Sequence, residues 1–128
     1  MTDLEFLMAA GAPPPPPTAA YSHAVRAGDF LFVTGQLATI SGDKLVDGGI
    51  VEQTHQVMRN LKAILAEAAI DFHRVVKTTI FLSDMSLFSA VNEVYGSYFK
   101  GDFPARETVA VKGLPKNVNV EISMIAAK

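Results

Sequence analysis

Hydrophobic positions along the chain change period several times, and these changes predict its secondary structure. Two short β-prone runs, residues 21–27 and 30–34, flank Gly28 and Asp29, which is the pattern of a β-hairpin. Residues 50–69 carry apolar side chains at a spacing of about 3.6 residues, so they predict an amphipathic helix. Packing against a core explains this apolar stripe fully, and we assign it no functional role.

The second half of the chain repeats this change of period. Residues 75–82 alternate as a strand, with Val76 expected on the same face as Ile80 and Leu82. A second helix is expected to begin at an N-cap and to run to about residue 99. Its N-cap is Asp84 or Ser86. Two further strands are expected at 108–111 and 118–126.

The order of elements, ββ, α, β, α, ββ, indicates an α+β fold in which two helices cover one face of a single sheet. The run at 30–34 is nevertheless apolar on both sides, with Phe30 and Phe32 on one face and Leu31 and Val33 on the other. The face without helices must then be buried by something else. The simplest candidate is another copy of the chain.

Composition narrows the possible functions. The chain has 128 residues, enough for one domain with a core. It has no cysteine, which excludes thiol catalysis, thiolate metal sites and disulfides and suits a cytoplasmic protein. The net charge of −2, without a basic block, argues against nucleic-acid binding. No stretch reaches the length of a membrane span, and the acidic start lacks the basic residues of a signal peptide.

Residues 1–20 differ from the remainder and are expected to form a leader to a domain at 21–128. Residues 13–17 are all proline, which favours an extended polyproline II segment. Such a run is most often a stiff connector, although it also suits an aromatic-lined groove. The three histidines, His23, His55 and His73, have no spacing typical of metal or acid–base sites, so we interpret them as structural or solvent-facing.

Arg106 and Glu121 are the candidate functional pair. Arg106 follows a proline and precedes an alternating run, which predicts a cation at the start of a strand. Glu121 is a carboxylate among apolar neighbours in the last strand, pointing away from its most apolar side. Together they suit a small-molecule site, but the alternative is a structural ion pair at the surface.

Seven stretches of the chain together carry a family resemblance. They are YSHAV at 21–25, FVTGQ at 32–36, QTHQVMRNL at 53–61, VVKTTIFL at 75–82, VNEVY at 91–95, FPAR at 103–106 and LPKNVNVEI at 114–122. In this order they resemble the RidA family of reactive imine and enamine deaminases, also called the YjgF/UK114 family. The resemblance implies a chorismate-mutase-like fold with a mixed sheet, and a homotrimer with clefts between subunits.

The implied activity is hydrolysis of 2-imino or enamine acids to 2-oxo acids and ammonia, without a cofactor or metal. Arg106 stands at the position of the family's arginine for the substrate carboxylate, and a planar guanidinium suits that role. Glu121 and Tyr21 match residues that position water or move protons. Thr34 matches a hydroxyl position that is often serine. Asn92 matches an asparagine that either lines the cleft or ties a helix to a strand.

Three departures from the family pattern stand out. Ala19 and Ala20 replace a common Gly-Pro, Thr108 replaces a common cysteine, and Ala69 replaces a glycine after the first helix. Two other functions remain open: a trimer that binds a small carboxylate without turnover, and RNA binding or cleavage. The identity of the imine or enamine acid also remains open.

Overall fold

The computed structural model describes residues 2–128. Its strands, in chain order, are β1 Leu4–Leu7, β2 Ala24–Ala27, β3 Phe30–Gln36, β4 Thr39–Ser41, β5 Lys44–Leu45, β6 Val75–Leu82, β7 Ala105–Ala110 and β8 Val120–Ala127. The α-helices are α1 Ile50–Glu67 and α2 Phe88–Gly96. The predicted hairpin is confirmed, with Gly28 at its turn at a φ of 59°.

Six strands form one mixed sheet in the order β1-β2-β3-β8-β6-β7, and β4 and β5 form a separate ribbon. β7 runs parallel to β6, and the other pairs in the sheet are antiparallel. Helix α1 packs across β3 and β8 and against α2, so both helices lie on one face. The α+β fold with two helices on a single mixed sheet is therefore confirmed.

Helix α1 forms because its apolar stripe is buried and its first turn is capped. Val57, Leu61 and Ile64 are fully buried in the core. At the N-terminus, the Glu52 carboxylate accepts a hydrogen bond of 3.1 Å from the Gly49 amide, which satisfies one donor of the helix end. After the helix, Ala69 adopts a φ of 58°, a left-handed conformation that favours glycine.

Strand β6 corrects one predicted face. Thr78, Ile80 and Leu82 are buried towards the helices as expected, but Val76 is exposed and Val75 is buried. The pairing of β6 with β8 shifts register between Val75 and Lys77, so the alternation is interrupted there. The prediction that Val76 shares the core face was therefore wrong.

The N-terminal segment and α2 also differ from expectation. Leu4–Leu7, within the expected leader, pairs antiparallel with β2 as an edge strand that the sequence did not predict. Helix α2 ends at Gly96, before the expected residue 99. It follows a short 3-10 turn at Met85–Leu87, which Asp84 caps by accepting from the Ser86 amide at 2.8 Å.

The face of the sheet opposite the helices carries exposed aromatic side chains. Phe6 is 66% exposed, and Phe30 and Phe32 are each 47% exposed. Phe6 and Phe32 both pair with Val25 across β1, β2 and β3, so they form a continuous apolar row. Across the described residues, no helix has the length and apolar character that a membrane crossing requires.

Candidate active site

Arg106 lies on β7, on the side of the sheet that the helices cover. It pairs with the buried Thr78 of β6 and points towards α2. Its Nη1 donates a hydrogen bond of 2.6 Å to Asn92 Oδ1. Its Cζ lies 5.4 Å from the ring centre of Tyr95 and 5.6 Å from that of Phe88. One amide and two aromatic rings therefore set the direction of the guanidinium.

A cavity of about 400 Å³ opens beside this guanidinium, lined by Asn92, Tyr95, Gly96, Phe103, Pro104 and Arg106. Within residues 2–128, no carboxylate forms an ion pair with Arg106. Within one chain, therefore, Arg106 and Glu121 do not form the surface ion pair that was the alternative. The cavity presents a positive charge against apolar walls, which suits a small carboxylate.

Tyr95 closes the inner side of the Arg106 cavity. Its hydroxyl donates a buried hydrogen bond of 2.9 Å to Thr78 Oγ1. Burial raises the pKa of Tyr95 above its usual value. The hydroxyl therefore stays protonated at neutral pH and supports the fold, and it does not act as a base.

Glu121 lies on β8 and points to the opposite face of the sheet. It pairs with Phe81 of β6, and its carboxylate approaches the backbone of Gly35 in β3. A Cβ atom at position 35 would lie 2.3 Å from Glu121 Oε2, so only glycine leaves room for this side chain. Burial raises the pKa of Glu121, which favours a carboxyl group that can exchange protons closer to neutral pH.

A second cavity, of about 340 Å³, joins Glu121 to Tyr21 and Thr34. The Thr34 amide donates to the His23 carbonyl at 2.9 Å, and the Thr34 hydroxyl donates to the Ser22 carbonyl. These two bonds hold the segment that carries Tyr21 against β3. Because the Thr34 proton is used in this way, the hydroxyl offers an acceptor to a molecule in the cavity.

The five predicted site residues thus fall into two groups. Arg106 and Asn92 line the first cavity, and Tyr21, Thr34 and Glu121 line the second. Arg106 pairs with Thr78 and Glu121 pairs with Phe81, and these two positions of β6 point to opposite faces. One chain alone does not bring the guanidinium and the carboxylate together.

Several site features were missed at the sequence level. Gly35 carries a detectable signal, since a glycine inside an apolar strand marks a close approach. The sequence did not identify Phe88 and Tyr95 as site residues, because their spacing is that of the apolar side of α2. Proline residues of the run at 13–17 line the Glu121 cavity, although the run reads as a connector.

The histidines have local roles. His23 is buried, and His55 Nδ1 lies 2.8 Å from the Tyr98 hydroxyl. His73 is exposed beside Asp71. In the part of the chain that the structure describes, no group of three or more His, Cys, Asp and Glu side chains is arranged to hold a metal ion.

Comparisons with known proteins agree with this architecture. A family model described as endoribonuclease L-PSP matches residues 12–128. A RutC family protein of Pyrococcus horikoshii is 46% identical over 109 residues, covering 84% of this chain and 86% of that protein. The mouse protein named 2-iminobutanoate/2-iminopropanoate deaminase is 44% identical over 109 residues, covering 84% of this chain and 81% of that protein.

A solved structure extends the similarity to nearly the whole fold. RidA from the Antarctic bacterium Psychrobacter matches with a TM-score of 0.88 and 34% identity, covering 97% of this chain and 99% of that one. The family match, the identities and the common fold therefore agree with the motifs found in the sequence. The chain belongs to the family described as endoribonuclease L-PSP, which is the RidA or YjgF family.

Proposed function

We propose that this protein hydrolyses short 2-imino and enamine acids to 2-oxo acids and ammonia. The observation that carries the proposal is the Arg106 guanidinium, which is oriented by Asn92 and faces a cavity without a carboxylate partner among residues 2–128. Relatives named 2-iminobutanoate/2-iminopropanoate deaminase support the substrate class.

In this mechanism Arg106 holds the substrate carboxylate through two parallel hydrogen bonds, which fixes the adjacent imine carbon. The oxygen of a water molecule bonds to that carbon, and Glu121 takes a proton from the water. Glu121 gives this proton to the nitrogen, which forms a carbinolamine. Glu121 then moves the proton of the new hydroxyl group to the nitrogen, the carbon–nitrogen bond breaks as the carbonyl group forms, and ammonia leaves a 2-oxo acid. Tyr21 positions the water, and Thr34 accepts a hydrogen bond from it.

The proposed site is completed between two copies of the chain. Arg106 and Asn92 of one subunit face Tyr21, Thr34 and Glu121 of the next, in a homotrimer of the kind that the family resemblance implies. Two observations support this arrangement: the two groups line separate cavities in one chain, and the helix-free face of the sheet exposes an apolar row. A second copy would bury that row and join the cavities.

Two alternative functions use the same surfaces. A protein that only binds carboxylates needs the Arg106 cavity but has no use for a carboxyl group with a raised pKa, so Glu121 favours turnover. The family name suggests a nuclease, but the net charge of −2 gives little attraction for phosphate.

The test is hydrolysis of 2-iminopropionate or 2-iminobutyrate, generated in the assay by an amino-acid oxidase. Wild-type protein should accelerate loss of the imine, and Arg106→Ala should lower kcat/KM about 100-fold or more, since hydrogen bonds to charged groups contribute about 1.5–3 kcal/mol each. Arg106→Lys is the matched control, because it keeps the charge but loses the planar fork, and it should recover only part of the loss. No acceleration by the wild type would overturn the proposal.

A further inference from the structure

His23 is buried, at 2% exposure, and it uses both nitrogens of its ring. The Ala9 amide donates to His23 Nδ1 at 2.9 Å. Since Nδ1 accepts, the proton of the neutral ring lies on Nε2, which donates to the Pro13 carbonyl at 2.8 Å. One side chain therefore bonds the chain on both sides of residues 10–12.

The proline run at 13–17, which begins at this point, has few other means of attachment. Residues 13–17 are prolines and have no amide hydrogen to donate, so they take part in no strand pairing. On its N-terminal side, Ala9 and Ala12 are buried and Gly11 lies close to Ala63 of α1. The two His23 bonds thus fix the point at which the proline run leaves the core.

The proline run at 13–17 forms one wall of the Glu121 cavity. Pro13, Pro14 and Pro16 line this cavity together with Tyr21. Proline side chains are apolar, carry no charge and have little freedom to rearrange. A wall of this kind resists displacement by a large substituent and offers no hydrogen-bond donor to a polar one.

We infer that the proline run limits the size of the substrate side chain, and that His23 is the positioning residue that fixes this wall. The inference rests on the proposed 2-oxo acid chemistry of the site and specifies its substrate class. The wall should favour acids with a short apolar side chain over acids with an aromatic side chain. His23 acts through the wall and does not contact the reacting atoms.

The test compares binding of pyruvate and phenylpyruvate by calorimetry in wild type, His23→Ala and His23→Gln. Glutamine keeps one donor and one acceptor, so it is the matched control. His23→Ala should shift the affinity ratio towards phenylpyruvate about tenfold, and His23→Gln should stay near the wild type. Hydrogen exchange of the peptide 8–12 should become faster in His23→Ala and return towards the wild-type rate in His23→Gln.

A double variant, Pro14→Ala with Pro16→Ala, guards against misfolding of His23→Ala because both prolines are exposed. It should shift the affinity ratio in the same direction while His23 remains in place. Unchanged ratios in both variants, with both acids still bound, would overturn the inference alone. If neither acid binds to the wild type, the proposed function fails and the selectivity inference fails with it.

Discussion

Asn92 on α2 accepts a hydrogen bond of 2.6 Å from Arg106 on β7, and this contact ties the second helix to the edge of the sheet. The bond uses one side of the guanidinium and leaves its other donors towards the cavity. Asn92 is therefore a positioning residue for Arg106, which matches the helix-to-strand tie considered for it at the sequence level. Its carbonyl oxygen carries no charge, so the cation stays available to a substrate.

Two substitutions of Asn92 should distinguish an effect on the direction of the Arg106 guanidinium from an effect on its charge. Asn92→Ala should raise KM about tenfold with a smaller effect on kcat, because a misdirected guanidinium weakens carboxylate binding in the ground and transition states alike. Asn92→Asp should cost more, because an aspartate would form an ion pair with Arg106 and compete with the substrate. Steady-state kinetics on the same imine measures both. An aspartate variant as active as the alanine variant would contradict this role.

Glu121 should impose an acid limit on activity. A carboxyl group accepts a proton from water only when it is ionised, and burial raises the pKa of this group above its usual value. The rate in wild-type protein should therefore fall as the pH falls through that raised pKa. Glu121→Gln should have a much lower kcat without this acid limb. If Glu121→Gln kept the wild-type fall in rate at low pH, that fall would belong to another titrating group.

Glu121→Gln should raise the stability of the protein above neutral pH, although it lowers kcat. Since the pKa of Glu121 is raised, the folded protein binds the proton more tightly than the unfolded chain, and stability is lost as pH rises through the folded pKa. Glu121→Gln avoids this loss, so it should melt above the wild type at about pH 8 and equal to it at about pH 4. Thermal unfolding at fixed protein concentration measures the difference. Equal melting temperatures at both pH values would contradict the burial of this charge.

Gly35 should be required for the position of the Glu121 carboxylate. A methyl group there would lie 2.3 Å from Glu121 Oε2, so Gly35→Ala must displace that side chain. We expect kcat to fall about 10- to 100-fold, since small misplacements of reacting groups are costly. Gly113→Ala is the control, because a Cβ atom at that position has no neighbour within 4 Å. Equal loss in both variants would point to a general effect on folding.

Ala69 should be a site of avoidable strain. Its φ of 58° is costly for any residue with a Cβ atom, so Ala69→Gly should raise the free energy of unfolding by about 1 kcal/mol. Ala68→Gly is the matched control, because Ala68 has a φ of −93° and gains nothing from glycine. Urea unfolding of both variants measures the change. A gain from Ala68→Gly as large as that from Ala69→Gly would contradict the strain.

The elements that the sequence predicted well are those with a long, regular period. Eighteen residues of α1 and the eight residues of β6 carry enough apolar positions to determine their type. Strand β1 was missed because four residues next to a proline-rich segment give no period. The face of Val76 was wrong because a register shift depends on the partner strand, which no local pattern shows.

The candidate residues were identified from the sequence, but their grouping was not. The face of Glu121 followed from alternation in β8. The face of Arg106 depends on the register of β7 against β6, which is a parallel pairing between distant segments. For this reason the separation of Arg106 from Glu121 within one chain appeared only in the structure, and it supports a site between two chains of the kind that the family resemblance implies.

Complementation between two inactive variants tests the proposed site most directly. Arg106→Ala supplies an intact Glu121, and Glu121→Gln supplies an intact Arg106, so a site between copies regains both residues when the chains are mixed. Refolding an equal mixture should restore hydrolysis of 2-iminopropionate at about one quarter of the sites in a cyclic trimer. Activity of the mixture no higher than the average of the two variants, with the wild type active, would contradict a site shared between subunits.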